Sequence, residues 1–564
     1  MSFARSLVTR ARTLPWTHRR CFRTVPANTR HNLFEYTSGR WIVNNDLRIA
    51  ERKRVFNADG LRQLAAQSVN RRPEDIVDVE KDNETSLNRS FLITMRDGFK
   101  MVAHIPYGIT PAKYLSVASE AATMAFLHAS GLPVPRVYGY SPVTDNAAGT
   151  EYILMEHVSG TFLHRLWDRA ALGDSSSLDE PDIVSLTQQI VKLETQMMAI
   201  SFPAAGCLYY TKDLEEIGAP GIALEQDARF SVGPDSRPHM WSGRRAELLN
   251  VDRGPYKTAE ALLIGGTEKE LAFLGQFGRP RFPLNRVHRA AYGDRDTKQQ
   301  PVDHIVNLIR YKLILPALVP KDPARSRFAI RHQNLDAFNI IVSRSPTDSR
   351  LNIISLIDWQ HNPVLPFFLL SNPPKYFDAW FDASFDEVSY AMIPPMFPEN
   401  LDDMSEGDAQ WEKERYKRSL WHYHYVKHME EHNPAQYAGF YAPLAMFREQ
   451  IVEFGSTERN GDSLSLKRQL LAVSEDLWEE LSEEDGMLCP ITFDPEAAEM
   501  TKLYMQVRET MEQSQIQMDR SLTLERVELV RKLRPEDITS LTGDLRELGL
   551  EISRWFLEDY EEDE

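Results

Sequence analysis

Two residues that could hold a divalent cation stand beside a predicted β-hairpin in the middle of the chain. Asn339 comes just before one strand-like run, 340–342, and Asp358 comes just after the next, 351–357. The turn residues 345–348 between the runs would reverse the chain, so Asp358 returns toward Asn339. Because hard cations such as Mg²⁺ prefer oxygen ligands, this pair predicts a magnesium site.

A polar segment leads into Asn339 and adds groups that phosphoryl transfer uses. This segment, 332–339, begins with His332 and carries Asn334 and Asp336. Phosphoryl transfer needs a carboxylate near the attacking hydroxyl, together with an Asn and an Asp that hold Mg²⁺ against the phosphates. The residue types and their spacing therefore predict a phosphotransferase loop. The alternative is that they are polar turn residues around an ordinary hairpin.

The elements predicted upstream of this loop form a small mixed lobe. A short helix precedes two strands with a hairpin signal between them. A longer helix, which ends at Gly131, and a second pair of strands follow. The predicted segments are helix 56–66, strand 90–95, strand 100–105, helix 114–130, strand 137–140 and strand 151–156.

The elements predicted downstream of the small lobe are mainly helical. Helices are expected at 182–200 and between 256 and 317. Residues 203–255 are rich in Gly, Pro and aromatic side chains, a composition typical of an irregular insertion. These predictions indicate an α+β fold with two lobes, a small β-rich one and a larger, mainly helical one.

The length of the chain also favours several units, because 564 residues exceed what one simple core usually accommodates. The expected divisions are a presequence (1–34), the small lobe with an N-terminal extension (35–156), the larger lobe with an insertion near 203–290 (157–400), a helical C-terminal region (401–556) and an acidic tail (557–564). The tail is expected to be disordered because it is almost entirely acidic.

The composition excludes several classes of protein. A hydrophobic fraction of 42% and a charged fraction of 26% are ordinary for a globular chain. Since no run approaches the ~20 apolar residues that span a bilayer, we expect no transmembrane segment. The three cysteines, Cys21, Cys207 and Cys489, form no CxxC pair, which excludes a disulfide scaffold and a cysteine-based zinc site.

The first 34 residues differ in charge from the rest of the chain. They contain seven arginines and no Asp, Glu or Lys, although the whole chain has a net charge of −17. Between residues 3 and 14 the apolar side chains share one helical face, and Pro15 ends that helix. This pattern is typical of a mitochondrial transit peptide, and the alternative is a basic arm for nucleic acid or anionic lipid. Because the rest of the chain is acidic, it offers a nucleic acid no further binding surface, which favours the transit peptide. We therefore expect a mitochondrial location and no nucleic-acid partner.

Together these features resemble the aminoglycoside phosphotransferase and choline kinase superfamily, whose members have a two-lobed, protein-kinase-like fold. Six short sequences narrow the resemblance to the fungal mitochondrial family called altered inheritance of mitochondria protein 9. They are 36–41 (YTSGRW), 88–91 (NRSF), 103–106 (AHIP), 118–124 (ASEAATM), 151–156 (EYILME) and 201–203 (SFP). The likeness covers roughly residues 34–400, and the C-terminal region matches only loosely.

The resemblance implies roles for particular residues. Glu120 would pair with the basic residue of the third strand, the position of His104. Glu156 and Val158 would belong to the hinge whose backbone meets adenine. Asn339 and Asp358 would be the metal ligands. The implied cofactors are ATP and Mg²⁺, and the partner is an unidentified small-molecule acceptor or a protein. The alternatives are that Glu120 is an exposed helix residue and that the hinge is an ordinary linker.

Three departures from the family's pattern weaken the expected nucleotide site. Asn334 stands in place of the catalytic Asp, and an amide cannot accept a proton at neutral pH. Asp336 is a less suitably spaced substitute. His104 stands where the family has arginine, and a neutral imidazole would hold phosphates poorly. The loop 82–87 has no glycine to let its backbone approach a phosphate, and its two carboxylates would repel ATP.

These departures predict a kinase-like protein that is catalytically weak or inactive, with weakened use of ATP and Mg²⁺. The resemblance implies that it acts in mitochondrial maintenance or inheritance. The alternative function is an active, ATP-dependent phosphotransferase for a small molecule. The regions that would choose an acceptor, about 203–290 and 370–560, contain no recognisable acceptor signature.

Overall fold

The computed structural model describes most of the chain. The described residues are 33–37, 45–166, 178–283, 298–347, 349–374, 392–457, 461–484 and 486–511. Nearly all of the predicted transit peptide and the whole acidic tail lie outside them, as does the predicted helical region beyond residue 511. Within the described part, no helix combines the length and apolar character needed to cross a membrane.

The small lobe is built on a five-stranded antiparallel sheet with the order β1-β2-β3-β5-β4. Its elements are α1 (Asn45–Arg52), α2 (Ala58–Ser68), β1 (Ile76–Glu84), β2 (Asn88–Met95), β3 (Lys100–Pro106), α3 (Lys113–Ala129), β4 (Val137–Ser141) and β5 (Tyr152–Glu156). The predicted hairpin, the long helix and the second pair of strands are confirmed. The short helix is confirmed two residues later than expected, because the Asn57 side chain accepts a hydrogen bond from Gly60 N and caps it.

The alternation of side chains along β3 directs His104 to the inner face of the sheet. Met101, Ala103 and Ile105 pack into the core of the small lobe, whereas Val102 contacts a second cluster that joins α3 to the large lobe. Since successive residues of a strand point to opposite faces, His104 shares the face of Val102, on which α3 lies.

Strand β1 was not predicted, because its charged residues hide the apolar alternation. The expected loop over 82–87 is therefore wrong: β1 runs through Glu84, and only 85–87 separate it from β2. Glu84 pairs with Arg89 on β2 (Oε1–Nε 2.8 Å), and both side chains are almost fully buried. This carboxylate is neutralised by its partner and does not face a nucleotide. Asp82 is exposed.

The large lobe contains two further sheets among its helices. Its elements are β6 (Thr161–Phe162), α4 (Glu180–Ala199), β7 (Gly206–Tyr210), α5 (Thr211–Glu216), β8 (Ile222–Ala223), β9 (Phe230–Gly233), α6 (Pro238–Trp241), α7 (Ala259–Phe277), α8 (Pro301–Leu318), α9 (Pro323–Ser326), β10 (Phe328–Ile330), β11 (Ile340–Arg344), β12 (Leu351–Leu356), β13 (Pro363–Pro366), α10 (Glu406–His432), α11 (Pro434–Phe440), α12 (Ala445–Ser456), α13 (Leu464–Ala472) and α14 (Trp478–Ser482). The predicted fold class, a small β-rich lobe followed by a larger, mainly helical one, is confirmed.

The expectation that 203–255 is irregular is wrong. This segment supplies three strands of a sheet with the order β10-β13-β7-β9-β8. The strands are only two to five residues long, and two of them, β7 and β9, contain glycine, so their sequence resembles a loop. Position 206 requires glycine. Its φ is +147°, and an added Cβ would lie 2.2 Å from the carbonyl oxygen of Gly233.

The helices after residue 400 share the core of the large lobe. Trp421, Tyr425 and Met429 of α10 belong to the same hydrophobic cluster as Met197 and Met198 of α4. The helical character predicted for this region is confirmed as far as the chain is described. Because their apolar faces are shared, α4 and α10 form one packed unit.

A three-stranded sheet with the order β12-β11-β6 joins the end of the hinge to the predicted metal hairpin. Phe162 of β6 pairs with Ile341 of β11. Gly160, just before β6, permits this close approach, because a Cβ there would lie 2.6 Å from the Ile341 side chain. The segment that leaves the small lobe is thereby fixed to the hairpin that carries Asn339.

Candidate active site

The β11–β12 hairpin brings Asn339 and Asp358 to the same end of a sheet. Ile340 pairs with Leu356, and Ile357 N donates to the carbonyl oxygen of Asn339 at 3.0 Å. The Asn339 side chain is oriented by its amide Nδ2, which donates to Asn334 O at 2.8 Å. Its amide oxygen is therefore the end that a cation could bind. The structure therefore places the two residues at the same end of the hairpin, as their spacing in the sequence predicts.

Asp358 has a backbone conformation that is uncommon for a residue with a side chain. Its φ is +66°, in the left-handed region that favours glycine. The next residue, Trp359, is fully buried and donates from its indole Nε1 to Leu356 O at 2.9 Å. Packing of this large ring stabilises the turn, and strain of this kind is concentrated at functional sites.

His332 positions the loop and is unsuited to proton transfer at neutral pH. Its Nε2 lies 2.9 Å from Ile357 O, and its ring packs edge-on against Trp359. Burial lowers the pKa of His332 to about 4, despite the hydrogen bond to Ile357. The neutral imidazole then donates its Nε2 proton to this carbonyl and ties the loop to the strand that ends before Asp358.

Asn334 and Asp336 occupy different environments within the same loop. The Asn334 side chain is exposed, whereas Asp336 is half-buried. One carboxylate oxygen of Asp336 accepts hydrogen bonds from Phe338 N (2.8 Å) and Asn339 N (3.1 Å). Asp336 thus shapes the turn that delivers Asn339, a role that accounts for its position without proton transfer.

His104, Glu120 and Asp358 come together where the two lobes meet. His104 Nδ1 lies 3.3 Å from Glu120 Oε1, and both residues are at least nine-tenths buried. The alternative that Glu120 is an exposed helix residue is therefore wrong. Burial alone would lower the pKa of His104, but the charges of Glu120 and Asp358 outweigh it and raise the pKa. The structure thus favours a charged imidazolium where the sequence suggested a neutral ring.

Replacing Glu120 by Gln should reveal this coupling. We expect the pKa of His104 to fall, because an opposite charge close to the imidazole is removed while burial remains. The measurement is a histidine titration by NMR in protein with labelled imidazole carbons. Glu80→Gln, which removes a carboxylate from β1 of the same lobe, is the matched control. An unchanged His104 titration in Glu120→Gln would contradict the coupling.

The hinge candidate Glu156 is the last residue of β5, and Val158 follows it in the segment between the sheets of the two lobes. Glu156 is held against Arg136, since Glu156 N donates to Arg136 O at 2.9 Å and its carboxylate accepts from Arg136 N at 3.2 Å. Val158 is half-buried in the segment that precedes β6. This segment is the direct covalent route between the lobes, as the prediction of a hinge requires.

Two residues that the sequence reasoning missed connect the loop 85–87 to the metal hairpin. Asn88 Nδ2 donates to Gln360 Oε1 at 3.0 Å, and Gln360 Nε2 donates to Ser116 Oγ of α3 at 3.3 Å. Gln360 follows Asp358 by two residues, but the sequence contains no signal that pairs it with Asn88, 272 positions away.

A buried ion pair anchors the residue before His332. Arg331 Nε lies 2.5 Å from Glu194 Oε1 of α4, and the Tyr425 hydroxyl of α10 donates to the other carboxylate oxygen at 2.5 Å. Arg331 also donates to Leu370 O at 2.7 Å. Burial opposes the charge of Arg331, but Glu194 outweighs it and raises the pKa. This network attaches the catalytic-type loop to two helices of the large lobe.

Arg331→Leu should destabilise the protein by about 3–5 kcal/mol, because it leaves the Glu194 carboxylate buried and uncompensated. Urea unfolding would give the free energy of unfolding. The control is Lys321→Ala, which breaks an exposed ion pair with Glu484 and should cost less than about 1 kcal/mol. The double change Arg331→Leu and Glu194→Leu should recover stability relative to Arg331→Leu. A cost of Arg331→Leu as small as that of Lys321→Ala would contradict the anchoring role.

Comparisons with known proteins agree with the resemblance seen in the sequence. The chain is 28% identical over 448 residues to a subtelomeric hrmA-associated cluster protein of Aspergillus fumigatus, covering 75% of this chain and 83% of that protein. It is 24% identical over 397 residues to altered inheritance of mitochondria protein 9 of Clavispora lusitaniae, covering 61% and 62%. The chain is similar to the family of altered inheritance of mitochondria protein 9. The word mitochondrial in these names agrees with the location that the first 34 residues predict. No family model matches the chain.

Among solved structures, the chain is similar to a protein of Thermobifida fusca described as a fructosamine-3-kinase. The identity is 13%, the TM-score is 0.33, and the match covers 73% of this chain and 99% of the other. A second match is an aminoglycoside phosphotransferase in a ternary complex with AMP-PNP and hygromycin B, at 9% identity and a TM-score of 0.33, covering 80% and 98%.

Proposed function

We propose that this chain is a mitochondrial kinase-fold protein that binds ATP with Mg²⁺ and transfers its phosphoryl group weakly or not at all. The observation that carries the proposal is a contrast within one loop. Asn339 and Asp358 are arranged as two oxygen ligands. Asn334, in contrast, presents an exposed amide where proton transfer requires a carboxylate.

The residues present fit a nucleotide with its cation. His104 Nε2 is buried and has no hydrogen-bond partner in the described part of the chain, so a charged imidazolium would have a donor for a phosphate oxygen. Asn339 and Asp358 would hold Mg²⁺, which supplies positive charge against the phosphates when bound. Hydrogen bonds from Asn88 to Gln360 hold the loop 85–87 close to this site.

Weak transfer follows from the absence of a suitable base in the described loop. The amide of Asn334 cannot accept a proton, and His332 donates its Nε2 proton to Ile357 O. Asp336 uses one oxygen to hold the turn. General-base help is typically worth about 10²–10⁴ in rate, so its loss leaves binding in place but reduces turnover. The working partner would then be a protein or an unidentified small molecule.

The alternative, an active phosphotransferase for a small molecule, is favoured by a specific observation. His104, Glu120 and Asp358 form an assembled set, and the raised pKa of His104 keeps a positive charge beside the site. A loose phosphoryl-transfer transition state depends more on such positioning than on a base.

Calorimetric titration with ATP, with and without Mg²⁺, tests the first part of the proposal, and ADP release on a panel of alcohols and amines tests the second. We expect binding that Mg²⁺ strengthens and little hydroxyl-dependent release. No binding at millimolar ATP would overturn nucleotide binding. Robust hydroxyl-dependent release that Asp358→Ala abolishes would establish the active alternative. A role in mitochondrial maintenance, which the relatives' names suggest, would require a mitochondrial phenotype on deletion.

A further inference from the structure

The last turns of α10 carry three metal-ligating side chains on one face, far in sequence from the candidate active site. They are His428, Glu431 and His432, at positions i, i+3 and i+4, and residues at this spacing are neighbours on a helix. One ligand atom from each side chain lies within 4.8 Å of the other two. The two histidines have the i, i+4 spacing by which one helix presents a pair of imidazoles to zinc.

The distances within this cluster are close to those of a bound cation. Glu431 Oε2 lies 3.5 Å from His428 Nδ1 and 3.8 Å from His432 Nε2. Tetrahedral zinc with bonds of about 2.1 Å separates its ligand atoms by about 3.4 Å. The two imidazole nitrogens lie within 4.8 Å of each other, so side-chain torsions that move these atoms by roughly an ångström would bring all three to ligand distances.

The buried member of the cluster has ring nitrogens that the fold leaves without a well-aligned hydrogen bond. His428 is only 6% exposed, and its ring nitrogens have only poorly aligned neighbours, the Glu431 carboxylate (Nδ1–Oε2 3.5 Å) and the backbone of Val184. Such groups normally find a partner, because an unsatisfied buried polar atom costs about 1–3 kcal/mol. A bound cation would satisfy one nitrogen of the ring.

The surroundings of the cluster suit a cation in two further ways. The site lies in the last turn of a 27-residue helix, where the helix dipole favours positive charge. Without a cation, Gln188 Nε2 of α4 donates to His432 Nε2 at 3.1 Å, and a cation bound at this nitrogen would replace that hydrogen bond. Glu431 and His432 are partly exposed, which gives a cation access from solvent.

We propose that His428, Glu431 and His432 form a binding site for Zn²⁺ at the contact between α10 and α4. Two imidazoles and a carboxylate are a known ligand set for zinc, whereas Mg²⁺ and Ca²⁺ prefer all-oxygen sites. The site is independent of the proposed nucleotide site and of its cation. All three ligands belong to α10, so a bound Zn²⁺ would stabilise the last turns of this helix beside α4.

Zinc content after equilibrium dialysis of the untagged full chain, together with Co²⁺ absorption titrations, tests the proposal. We expect one equivalent of Zn²⁺ that excess Mg²⁺ does not displace. His432→Ala and Glu431→Gln should each weaken binding at least ~10-fold, more than the loss of a typical supporting partner. Both positions are solvent-accessible, so these variants should fold, which circular dichroism would check.

Two control variants show whether zinc binds at this cluster rather than elsewhere on the chain. Glu430→Gln changes the neighbouring exposed carboxylate and should leave the zinc affinity unchanged. Asp358→Ala should also leave it unchanged, because it alters only the nucleotide-type cation site. The proposal is overturned if the chain retains no zinc, or if His432→Ala and Glu431→Gln bind it as tightly as the unaltered chain.

Discussion

Asp358→Ala is expected to abolish the Mg²⁺ dependence of ATP binding. Asp358 supplies the one carboxylate of the proposed cation site, and it also helps to keep His104 charged. The change should weaken ATP binding in Mg²⁺ by at least the ~10–100-fold that follows loss of a supporting metal partner. In calorimetric titrations, the affinity of the variant for ATP should be the same with Mg²⁺ as without it. Retention of full Mg²⁺-dependent affinity would exclude Asp358 as a ligand.

The unusual backbone of Asp358 requires a second variant, because its φ of +66° makes alanine strained at this position. Asn tolerates the left-handed region better than Ala, so Asp358→Asn removes the charge while sparing the turn. We expect Asp358→Asn to lose the Mg²⁺ dependence but to unfold at the same urea concentration as the unaltered chain. Asp402→Ala, at an exposed position, is the control for the loss of a negative charge.

Asn334→Asp is expected to raise phosphoryl transfer, since it restores a proton acceptor in the loop that leads to Asn339. General-base help is typically worth about 10²–10⁴ in rate. Because a loose phosphoryl-transfer transition state depends more on positioning than on a base, we expect an increase in rate toward the lower end of that range. Release of ADP from ATP with a panel of hydroxyl compounds is the measurement. Asn352→Asp makes the same chemical change on the exposed edge of β12 and should have no effect.

The outcome of this change distinguishes a missing base from other defects. If Asn334→Asp binds ATP normally but gains no activity, the deficiency lies elsewhere than in proton transfer. Asp336→Asn tests the remaining loop carboxylate. An amide oxygen can still accept from Phe338 N and Asn339 N, so the turn should persist while a proton acceptor is lost. A fall in residual activity would identify Asp336 as the substitute base.

The regular elements and the β11–β12 hairpin were predictable because their signals are local. Alternation in β2 and β3, and the turn between β11 and β12, lie within about twenty residues of sequence, so Asn339 and Asp358 could be placed together. Strand β1 was missed because its pairing of Glu84 with Arg89 buries charges that are normally exposed. Strands β7 to β9 are too short and rich in glycine to show a period.

Properties that depend on tertiary contacts could not be predicted. The charge of His104 is set by two carboxylates, one from α3 and one from the far end of β12. The bond from Asn88 to Gln360 joins residues in different lobes. The histidine cluster of α10 lies in a helical region whose resemblance to the family is weak. Its burial against α4, which leaves the His428 ring without a well-aligned hydrogen bond, follows only from the packing of the two helices.

The pairing of β6 with β11 has a consequence for motion of the molecule. Because Phe162 and Ile341 belong to one sheet, any rotation of the five-stranded sheet relative to β11 would pivot on the few residues before Gly160. Asn339 and Asp358 would stay together, since both lie on the stationary side of that pivot. His104 would move with β3, whereas Glu120 belongs to α3, which also packs against β7 of the large lobe. Opening would thus move the imidazolium of His104 away from the proposed phosphate position, while Asn339 and Asp358 would stay in place as metal ligands. Release of a nucleotide would then begin at its phosphate contacts with the small lobe.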